Sequence, residues 1–428
     1  MESTQRRSYA LPIAMMFALF FMIAFVTNLQ NPMGVIVKNQ FGASNFLSQL
    51  GNFANFLAYA FMGIPAGIML EKIGYKKSAL WAIFIGFVGV GITYISGQAE
   101  NFAIYVFGAF VSGFSMCLLN AVVNPMLNTL GGGGKKGNQL LQFGGSLNSI
   151  GATIVPVLVG YLMGTSEATR TIAKANPALF LAMGIFAVAF LVLYFVSIPE
   201  PHLVTEKKTE KDSHSALSFN HFKLGMIAIF IYVGVEVGLS NISNIFMTTG
   251  VSDGGLGIDP TIAGTVAGTY WFLMMCGRLL GGVVGGKISS KAMLSIVASF
   301  GVLFVLLGIF MPLETTVNMP VFRSDISFGL AEVPINVMFF IICGLCTSVM
   351  WGSIFNLATH DLGKYTATAS GLFMMMVVGG GVLPSLQGWI ADKAGFLTSY
   401  WVILAGLAYI LFFALIGSKN INKDIVTT

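Results

Sequence analysis

The sequence predicts an all-α integral membrane protein with twelve transmembrane helices, arranged as two six-helix domains related by pseudo-symmetry. Of its 428 residues, 56% are hydrophobic and only 9% are charged, whereas charged residues make up about 25% of a soluble domain. Apolar runs of about 20 residues, the length that crosses a bilayer, recur along the whole chain. The longest charged stretch lies in the middle and divides these runs equally.

Six apolar spans precede the charged stretch. Within the first of them, the polar segment TNLQNP at residues 27–32 interrupts the apolar run. Polar side chains and Pro32 inside a helix leave backbone groups that need partners, which is tolerated where a cavity or neighbouring helices supply them. We place the six spans at 9–37, 46–71, 78–97, 102–130, 138–164 and 177–198.

The charged stretch, PEPHLVTEKKTEKDSHSALSFN at residues 199–220, has the composition of a solvated linker. It predicts an amino-terminal domain of residues 1–198 and a carboxy-terminal domain of residues 221–428. Six further spans follow the linker, at 221–249, 259–286, 292–312, 333–359, 366–391 and 397–418.

The distribution of Lys and Arg predicts the orientation. If the amino terminus is inside, sixteen of the 22 basic residues fall on the cytoplasmic side and five on the other side. Cytoplasmic loops of membrane proteins carry this excess. We therefore expect both termini and the central linker to be cytoplasmic.

The segment FIYVGVEVGLSNISNIFM, residues 230–247, places Glu236 in the middle of an apolar span. A charge at this depth costs about 2.5–3.5 kcal/mol on insertion scales, so it normally faces a protein interior or a cavity. Ser240, Ser243 and Asn244 extend a polar stripe from it at helical spacing. A purely structural carboxylate is the alternative; we favour a functional one, which would have to exchange a proton near neutral pH to couple transport.

Three amides, Asn120, Asn124 and Asn128, recur every four residues and so share one face of the fourth span, with Pro125 among them. Amides on a helix face commonly join neighbouring helices. They also suit a neutral polyol, because an amide donates and accepts while an aromatic face covers a sugar ring. We favour substrate contact for Asn120 and Asn124.

Other polar and aromatic side chains inside spans are candidates for the same site. Packing against lipid or protein is the more frequent use of the aromatic ones. The candidates are Asn28, Asn31, Asn52, Asn55, Gln142, Asn148, Asn244, Asn356, Gln387, Tyr270, Trp271 and Trp351.

The two halves repeat a loop at corresponding places. GIMLEKIGYKK, residues 67–77, follows the second span, and GGVVGGKISSK, residues 281–291, follows the eighth. Paired halves of this kind are typical of transporters whose substrate site lies between the repeats. Arg278, deep in the eighth span, precedes the second loop, and we favour a gating or structural ion pair for it over substrate contact. The gating candidates in the first loop are Gly67, Glu71, Gly74, Lys76 and Lys77.

The first loop resembles the signature loop of the major facilitator superfamily, with Glu71 where an Asp is usual. Four stretches, NAVVNPMLNTLG, LNSIGATIVP, YVGVEVG and IFNLATHDLGKYTATASGLFMMMVVGGGVLPSLQGWIADKAG, are similar to the fucose, glucose and galactose symporters of that superfamily. The similarity runs from about residue 17 to residue 415. It implies the twelve-helix major facilitator fold and sugar import driven by a cation, commonly a proton.

The chain departs from that family at three positions. Asn31 stands where fucose-type members have an acid, and Asn120 stands where they have an acid or a glutamine. Gly145 stands where a sugar-contacting glutamine is expected. An amide does not take up a proton at physiological pH. Coupling therefore rests on Glu236, uses another ion, or has been lost.

We expect a secondary transporter that imports a neutral sugar or sugar derivative by alternating access, with Glu236 coupling it to a proton or sodium ion. The alternatives are a non-sugar polar solute, an efflux substrate, an uncoupled facilitator or, least of all, a non-transporting sensor. The chain would be a multi-pass protein of a bacterial cytoplasmic membrane, by resemblance, and a monomer without cofactor, metal or nucleic acid. The positions of its histidines, in or near loops, argue against an intramembrane enzyme; they are His202, His214, His221 and His360.

Overall fold

The computed structural model describes most of the chain. Some side chains inside the first, second, fourth and seventh helices, including those of Asn31 and Asn52, lie outside the described part. Most of the predicted linker, residues 201–213, also lies outside it. The described ranges are 9–41, 50–163, 172–200, 214–323, 325–422, 424–425 and 427.

Helices form nearly all of the described residues before the linker. They are apolar over most of their length, as helices that meet lipid must be. Their bounds are α1 Ala10–Phe41, α2 Leu50–Gln98, α3 Phe102–Leu130, α4 Gly134–Met163 and α5 Asn176–Phe195, with a short 3-10 turn at Ala173–Ala175.

The second half has the same helical character with one added hairpin. Its helices are α6 Asn220–Thr248, α7 Pro260–Gly285, α8 Ser290–Phe310, α9 Ile335–Thr347, α10 Met350–Ala358, α11 Thr366–Met375, α12 Gly379–Ala394 and α13 Phe396–Phe412. Short 3-10 turns lie at Ala216–Ser218, Val251–Asp253, Gly363–Tyr365 and Met376–Val378, and a π-turn at Phe413–Gly417. The hairpin strands are β1 Thr316–Phe322 and β2 Phe328–Pro334.

Nine helices in the described part of the chain are long and apolar enough to cross a membrane, and α9 with α10 makes a further, bent span. The stretch Phe53–Gln98 of α2 is 46 residues long, enough for two crossings at about 20 residues each. With α4, which is 30 residues long, the total is the twelve spans that the sequence predicts.

One detail of the first half differs from the prediction. The second and third spans are not separated by a loop; they meet at Gly74, whose φ of 83° breaks an otherwise continuous α2. A positive φ of this size is readily adopted only by glycine. The first span, predicted at 9–37, is the single helix α1, which runs through the polar segment at residues 27–32; there Asn28 donates its amide to the carbonyl of Ala24 at 2.8 Å.

Two details of the second half were not predicted. The loop before the tenth span is an antiparallel hairpin, paired from Thr316 opposite Pro334 to Phe322 opposite Phe328, so the fold is not purely helical. The tenth span itself is broken after Thr347 and bends by 42° before Met350. The bend presents backbone carbonyls to the interior, which a continuous helix would not do.

The two ends of the helix bundle can be told apart by their contacts. At one end, which we call the linker end, Glu200 lies beside the turn at Gly74, and Asn220 donates its backbone N–H to Asn422 at 3.0 Å. The opposite end carries the β1–β2 hairpin, and we call it the hairpin end. A continuous apolar core of buried residues connects the helices between the two ends.

Candidate functional site

An ion pair between Glu236 of α6 and Arg278 of α7 lies at the centre of the second half. Nη2 of Arg278 is 3.3 Å from Oε1 of Glu236, and the two side chains are only 9% and 13% exposed, respectively. A buried charge is tolerated when it is paired and hydrogen-bonded. The structure therefore places the two deep charges, which the sequence showed separately, in one site.

Arg278 also connects the two halves of the chain. Its Nη1 donates to the hydroxyl of Ser149 at 2.7 Å and to the carbonyl of Gly145 at 3.2 Å, both on α4. Its Nε donates to the carbonyl of Ser348 at 3.2 Å. The guanidinium presents several N–H donors in a fixed plane, and here that plane joins α4, α6 and the bend of the tenth span.

The bend between α9 and α10 supplies acceptors to this site. The Ser348 carbonyl accepts from Arg278, and the next carbonyl, that of Val349, accepts from Nε2 of Gln142 on α4 at 2.9 Å. Gln142 also donates to Oδ1 of Asn138 at 3.2 Å. The bend thus binds two side chains, one from each half.

The amides of α3 make further contacts between the halves. Asn124 is fully buried and accepts a hydrogen bond of 2.9 Å from the indole Nε1 of Trp351 on α10. Closer to the linker end, Asn128 accepts from Nδ2 of Asn356 at 2.7 Å. Asn120 instead donates to the hydroxyl of Tyr59 within the first half, at 3.1 Å. Two of the three aligned amides therefore reach across to the second half.

Other predicted residues lie within the second half. Tyr270 is buried and shares a hydrogen bond of 2.8 Å with Thr347. Gln387 is fully buried near Gly238, and neither amide atom has a partner among the described residues. Oδ1 of Asn244 is likewise buried without a partner there.

The remaining amide candidates are in the first half. Asn148, on α4, is half-buried one position before Ser149. Asn55 is buried, and its Oδ1 has no partner among the described residues. Asn31 lies on α1, but its side chain is outside the described residues.

The first signature-like loop contacts the second half at the linker end. Gly67 packs against the backbone of Thr368 on α11, and Glu71 accepts a hydrogen bond of 3.0 Å from the hydroxyl of Thr368. A side chain at position 67 would meet the Thr368 carbonyl at about 3.1 Å, which is closer than ordinary van der Waals contact. The close approach therefore depends on glycine.

The same loop is also bound to the end of α5. The two backbone N–H groups that follow Gly74 donate to the carboxylate of Glu200 at 2.6 and 2.9 Å. The ammonium of Lys76 donates to the carbonyl of Tyr194 at 2.8 Å, while Lys77 is exposed. A carboxylate at the start of a helix is stabilising because it satisfies free N–H groups.

The two halves pack closely along the linker-end part of α7. Gly282 packs against the ring of Phe143, and Gly285 against the backbone of Gln139, both on α4.

The chain matches the family model described as Major Facilitator Superfamily over residues 16–383. The chain belongs to the Major Facilitator Superfamily. It is accordingly a multi-pass membrane transporter and not an enzyme. The twelve-span fold and the broad family prediction made from the sequence are confirmed.

Relatives of this superfamily member cover nearly its whole length. The glucose/galactose transporter of Brucella abortus biovar 1 (strain 9-941) is 27% identical over 424 residues, which are 98% of this chain and 97% of that protein. The L-fucose-proton symporter of Escherichia coli (strain K12) is 23% identical over 421 residues, 92% of this chain and 90% of that protein. A crystal structure of the transporter FucP in the outward conformation has a TM-score of 0.81 at 20% identity, covering 97% of this chain and all of that one.

Several residues of the site in this superfamily member were not singled out from the sequence. Tyr232 precedes Glu236 by one helical turn, and its hydroxyl lies 3.5 Å from Nη2 of Arg278. Ser149 and Tyr59 bind Arg278 and Asn120, respectively. The spacing of Tyr232 from Glu236 was a usable signal, whereas partners on other helices leave none in a single sequence. Among the described residues, no group of three or more His, Cys, Asp or Glu side chains could hold a metal ion.

Proposed function

We propose that this superfamily member imports a neutral sugar or sugar derivative by alternating access, coupled to a proton through Glu236. The observation that carries the proposal is that Arg278, the partner of Glu236, also binds Ser149 and Gly145 in the other half. A change of charge at Glu236 therefore acts directly on a contact between the halves. Relatives named glucose/galactose transporter and L-fucose-proton symporter support a sugar as substrate and a proton as coupling ion.

The side chains around the ion pair suit a neutral polar substrate. Asn124 and Trp351 offer an amide and an indole that bind each other across the halves at 2.9 Å. Sugar hydroxyls both donate and accept, so they can donate to the amide oxygen of Asn124 and accept from the indole N–H of Trp351 in place of this contact. The indole face can cover the sugar ring. Because Glu236 and Arg278 neutralise one another, the site has no net charge to attract an ionic substrate. The other predicted amides, Gln142, Asn148, Asn244, Asn356 and Gln387, stay proposals as substrate contacts.

Coupling follows from the bonds that Arg278 makes. When Glu236 is ionised, the carboxylate holds the guanidinium toward α6 at 3.3 Å. Protonation removes that attraction and leaves Arg278 held by Ser149, Gly145 and the Ser348 carbonyl. A proton can change the conformational equilibrium only if it binds the two states with different affinity, and an ion pair linked to an interface between halves meets this condition.

The proposed movement is a rocking of residues 1–198 against residues 221–428, with 199–220 as the connection. In the described state, contacts between Glu71 and Thr368 and between Asn128 and Asn356 close the linker end. The excess of basic residues at that end supports a cytoplasmic location for it and for both termini. The state would then be open toward the outside of a bacterial cytoplasmic membrane, and the gating residues would include Gly67, Gly74, Lys76 and Lys77.

The test is counterflow of labelled hexoses, pentoses and amino sugars into proteoliposomes loaded with the same unlabelled sugar. Counterflow needs alternating access and binding but no ion gradient. We expect one sugar to exchange, and expect Asn124→Ala to raise its half-saturation concentration. Tyr409→Phe, which removes a hydrogen bond of 3.1 Å to the carbonyl of Leu224 within the second half, is the control. Exchange of none of the sugars by protein that is monodisperse and correctly inserted would contradict the substrate class.

A further inference from the structure

A cavity of about 430 Å³ lies between the two halves at the linker end. Its volume falls within the range of about 300–1,000 Å³ that is usual for small-molecule sites. One wall comes from the α3–α4 connection, around residues 128–134, and the other from the α10–α11 connection, around residues 356–366. Neither Glu236 nor Arg278 lines this cavity, so it is separate from the ion-pair site.

The first-half wall of the cavity is largely bare backbone. Gly132, Gly133 and Gly134 have φ values of 77°, 68° and 53°, a region that glycine adopts readily and other residues avoid. At these three positions no described atom lies within 4 Å of where a side chain would begin. Any other residue would be strained here and would take up space that is now free. The three glycines therefore keep the space beside this wall open.

The second-half wall carries hydrogen-bond acceptors. The hydroxyls of Thr359 and Thr366 donate to backbone carbonyls at 2.8 and 2.7 Å, and each hydroxyl oxygen can still accept. The exposed carboxylate of Asp361 lies 2.9 Å from Nδ1 of His360. A carboxylate has about four acceptor positions, so Asp361 can accept from a ligand as well.

A contact between the halves forms part of the cavity lining. Asn128 accepts from Nδ2 of Asn356 at 2.7 Å, which uses its oxygen and leaves its own amide N–H groups as donors. Among the described residues that line the cavity, none is Lys or Arg. An anionic ligand would thus meet the carboxylate of Asp361 without a basic side chain in the lining. A neutral polyol would find both donors and acceptors.

The two walls stay together only while the linker end is closed. Rocking of the halves separates the α3–α4 connection from the α10–α11 connection and breaks the contact between Asn128 and Asn356. A ligand that touches both walls therefore binds the described state better than the opposite state. By linkage, such a ligand holds the linker end closed and slows transport.

We propose that this cavity is an inhibitory site for a neutral polyol, and that the transported sugar fills it from the linker end as it accumulates there. The inference rests on the proposed function, from which it takes the ligand. It adds to the central site a second sugar site that limits import when the sugar is already abundant.

The test is the initial rate at which labelled sugar enters proteoliposomes whose protein has its linker end facing the lumen. The luminal concentration of the same unlabelled sugar is increased stepwise. Low luminal sugar should raise the rate, because exchange returns the central site to the outside. Higher luminal sugar should then lower the rate, by about twofold at the concentration that half-fills the cavity, since a molecule with a filled cavity cannot open its linker end.

Two variants should abolish the fall and keep the rise. Asp361→Gly removes the carboxylate, and the φ of 59° at this position suits glycine, so the turn should fold as before. Thr129→Leu replaces a hydroxyl in the lining by a larger apolar side chain. Asp253→Gly, at an exposed aspartate of the hairpin end, is the matched control and should show both the rise and the fall.

The outcomes separate this inference from the proposed function. A rate that rises to a plateau in the unsubstituted protein would overturn the inhibitory site and leave sugar transport standing. A fall that persists in both variants would place the inhibition elsewhere and overturn the site equally. A rate that no luminal sugar changes would contradict the proposed function, and the inference with it. Luminal sodium phosphate should not lower the rate; an equal fall with phosphate would assign the cavity to an anion and overturn the polyol.

Discussion

The hydrogen bond between Trp351 and Asn124 joins the two halves, and its loss should change the balance between conformations. Trp351→Phe removes the indole N–H that donates to Asn124 at 2.9 Å but keeps an aromatic ring. Asn124 is fully buried, so its carbonyl oxygen loses its partner without gaining water. The state that closes the linker end is the one that contains this bond.

The size of the effect follows from the burial of Asn124. A hydrogen bond contributes about 0.5–1.5 kcal/mol net, and a buried acceptor left without a partner costs about 1–3 kcal/mol. A destabilisation of about 1–2 kcal/mol changes a two-state ratio by roughly 5- to 30-fold. We therefore expect the population ratio of the described state to the opposite state to fall by at least about fivefold.

The measurement is a distance distribution by pulsed electron paramagnetic resonance, between spin labels at Gly268→Cys on α7 and Ile154→Cys on α4. These helices belong to different halves, so a rocking movement between the halves should give two distances. Tyr270→Phe is the matched control, because it removes a bond of 2.8 Å to Thr347 that lies within the second half. Its population ratio should equal that of the unsubstituted protein.

An unchanged ratio in Trp351→Phe, with the labelled protein folded, would refute the view that this bond stabilises one transport state. An equal shift in Tyr270→Phe would show that the change is general destabilisation of the second half.

Three other substitutions test the linker end. Glu200→Gln should lower the melting temperature, because it weakens two charge-assisted bonds to the turn after Gly74, whereas the exposed Glu314→Gln should not. Gly371→Val should favour opening of the linker end, since a side chain there meets the α2 backbone; an unchanged distance distribution would contradict this. Asn356→Ala removes two hydrogen bonds, of 2.7 and 2.8 Å, to Asn128 and Ser290. It should increase the rate at which a membrane-impermeant thiol reagent, added at the linker end, labels a cysteine introduced beside the Asn128–Asn356 contact. Equal labelling rates would count against a gate at this contact.

Hydropathy predicted the helices well because lipid imposes one physical requirement on every span. The fourth span was predicted at 102–130, and α3 has those bounds. The prediction was poorer where the chain departs from a straight span. The break near Ser348 has neither proline nor glycine within it, and the hairpin strands carry Pro320 and Gly329, which disfavour strands.

The candidate site, too, was predicted only in part. Depth in an apolar segment was enough to select Glu236 and Arg278 as unusual. Their pairing depends on how α6 packs against α7, and the contact of Arg278 with Ser149 depends on how the halves meet. Neither arrangement is encoded in the spacing of residues along one helix, so a single sequence could not supply it.

Proton movement on addition of sugar tests the central claim most directly. Proteoliposomes in weakly buffered medium receive the sugar identified by counterflow, and the external pH is followed for the unsubstituted protein, Glu236→Gln and the control Glu314→Gln, at an exposed position. The account predicts that the external pH rises with the unsubstituted protein and with Glu314→Gln, and stays constant with Glu236→Gln while counterflow continues. Proton uptake by Glu236→Gln in the same ratio to sugar would contradict it, because the coupling group would then lie elsewhere.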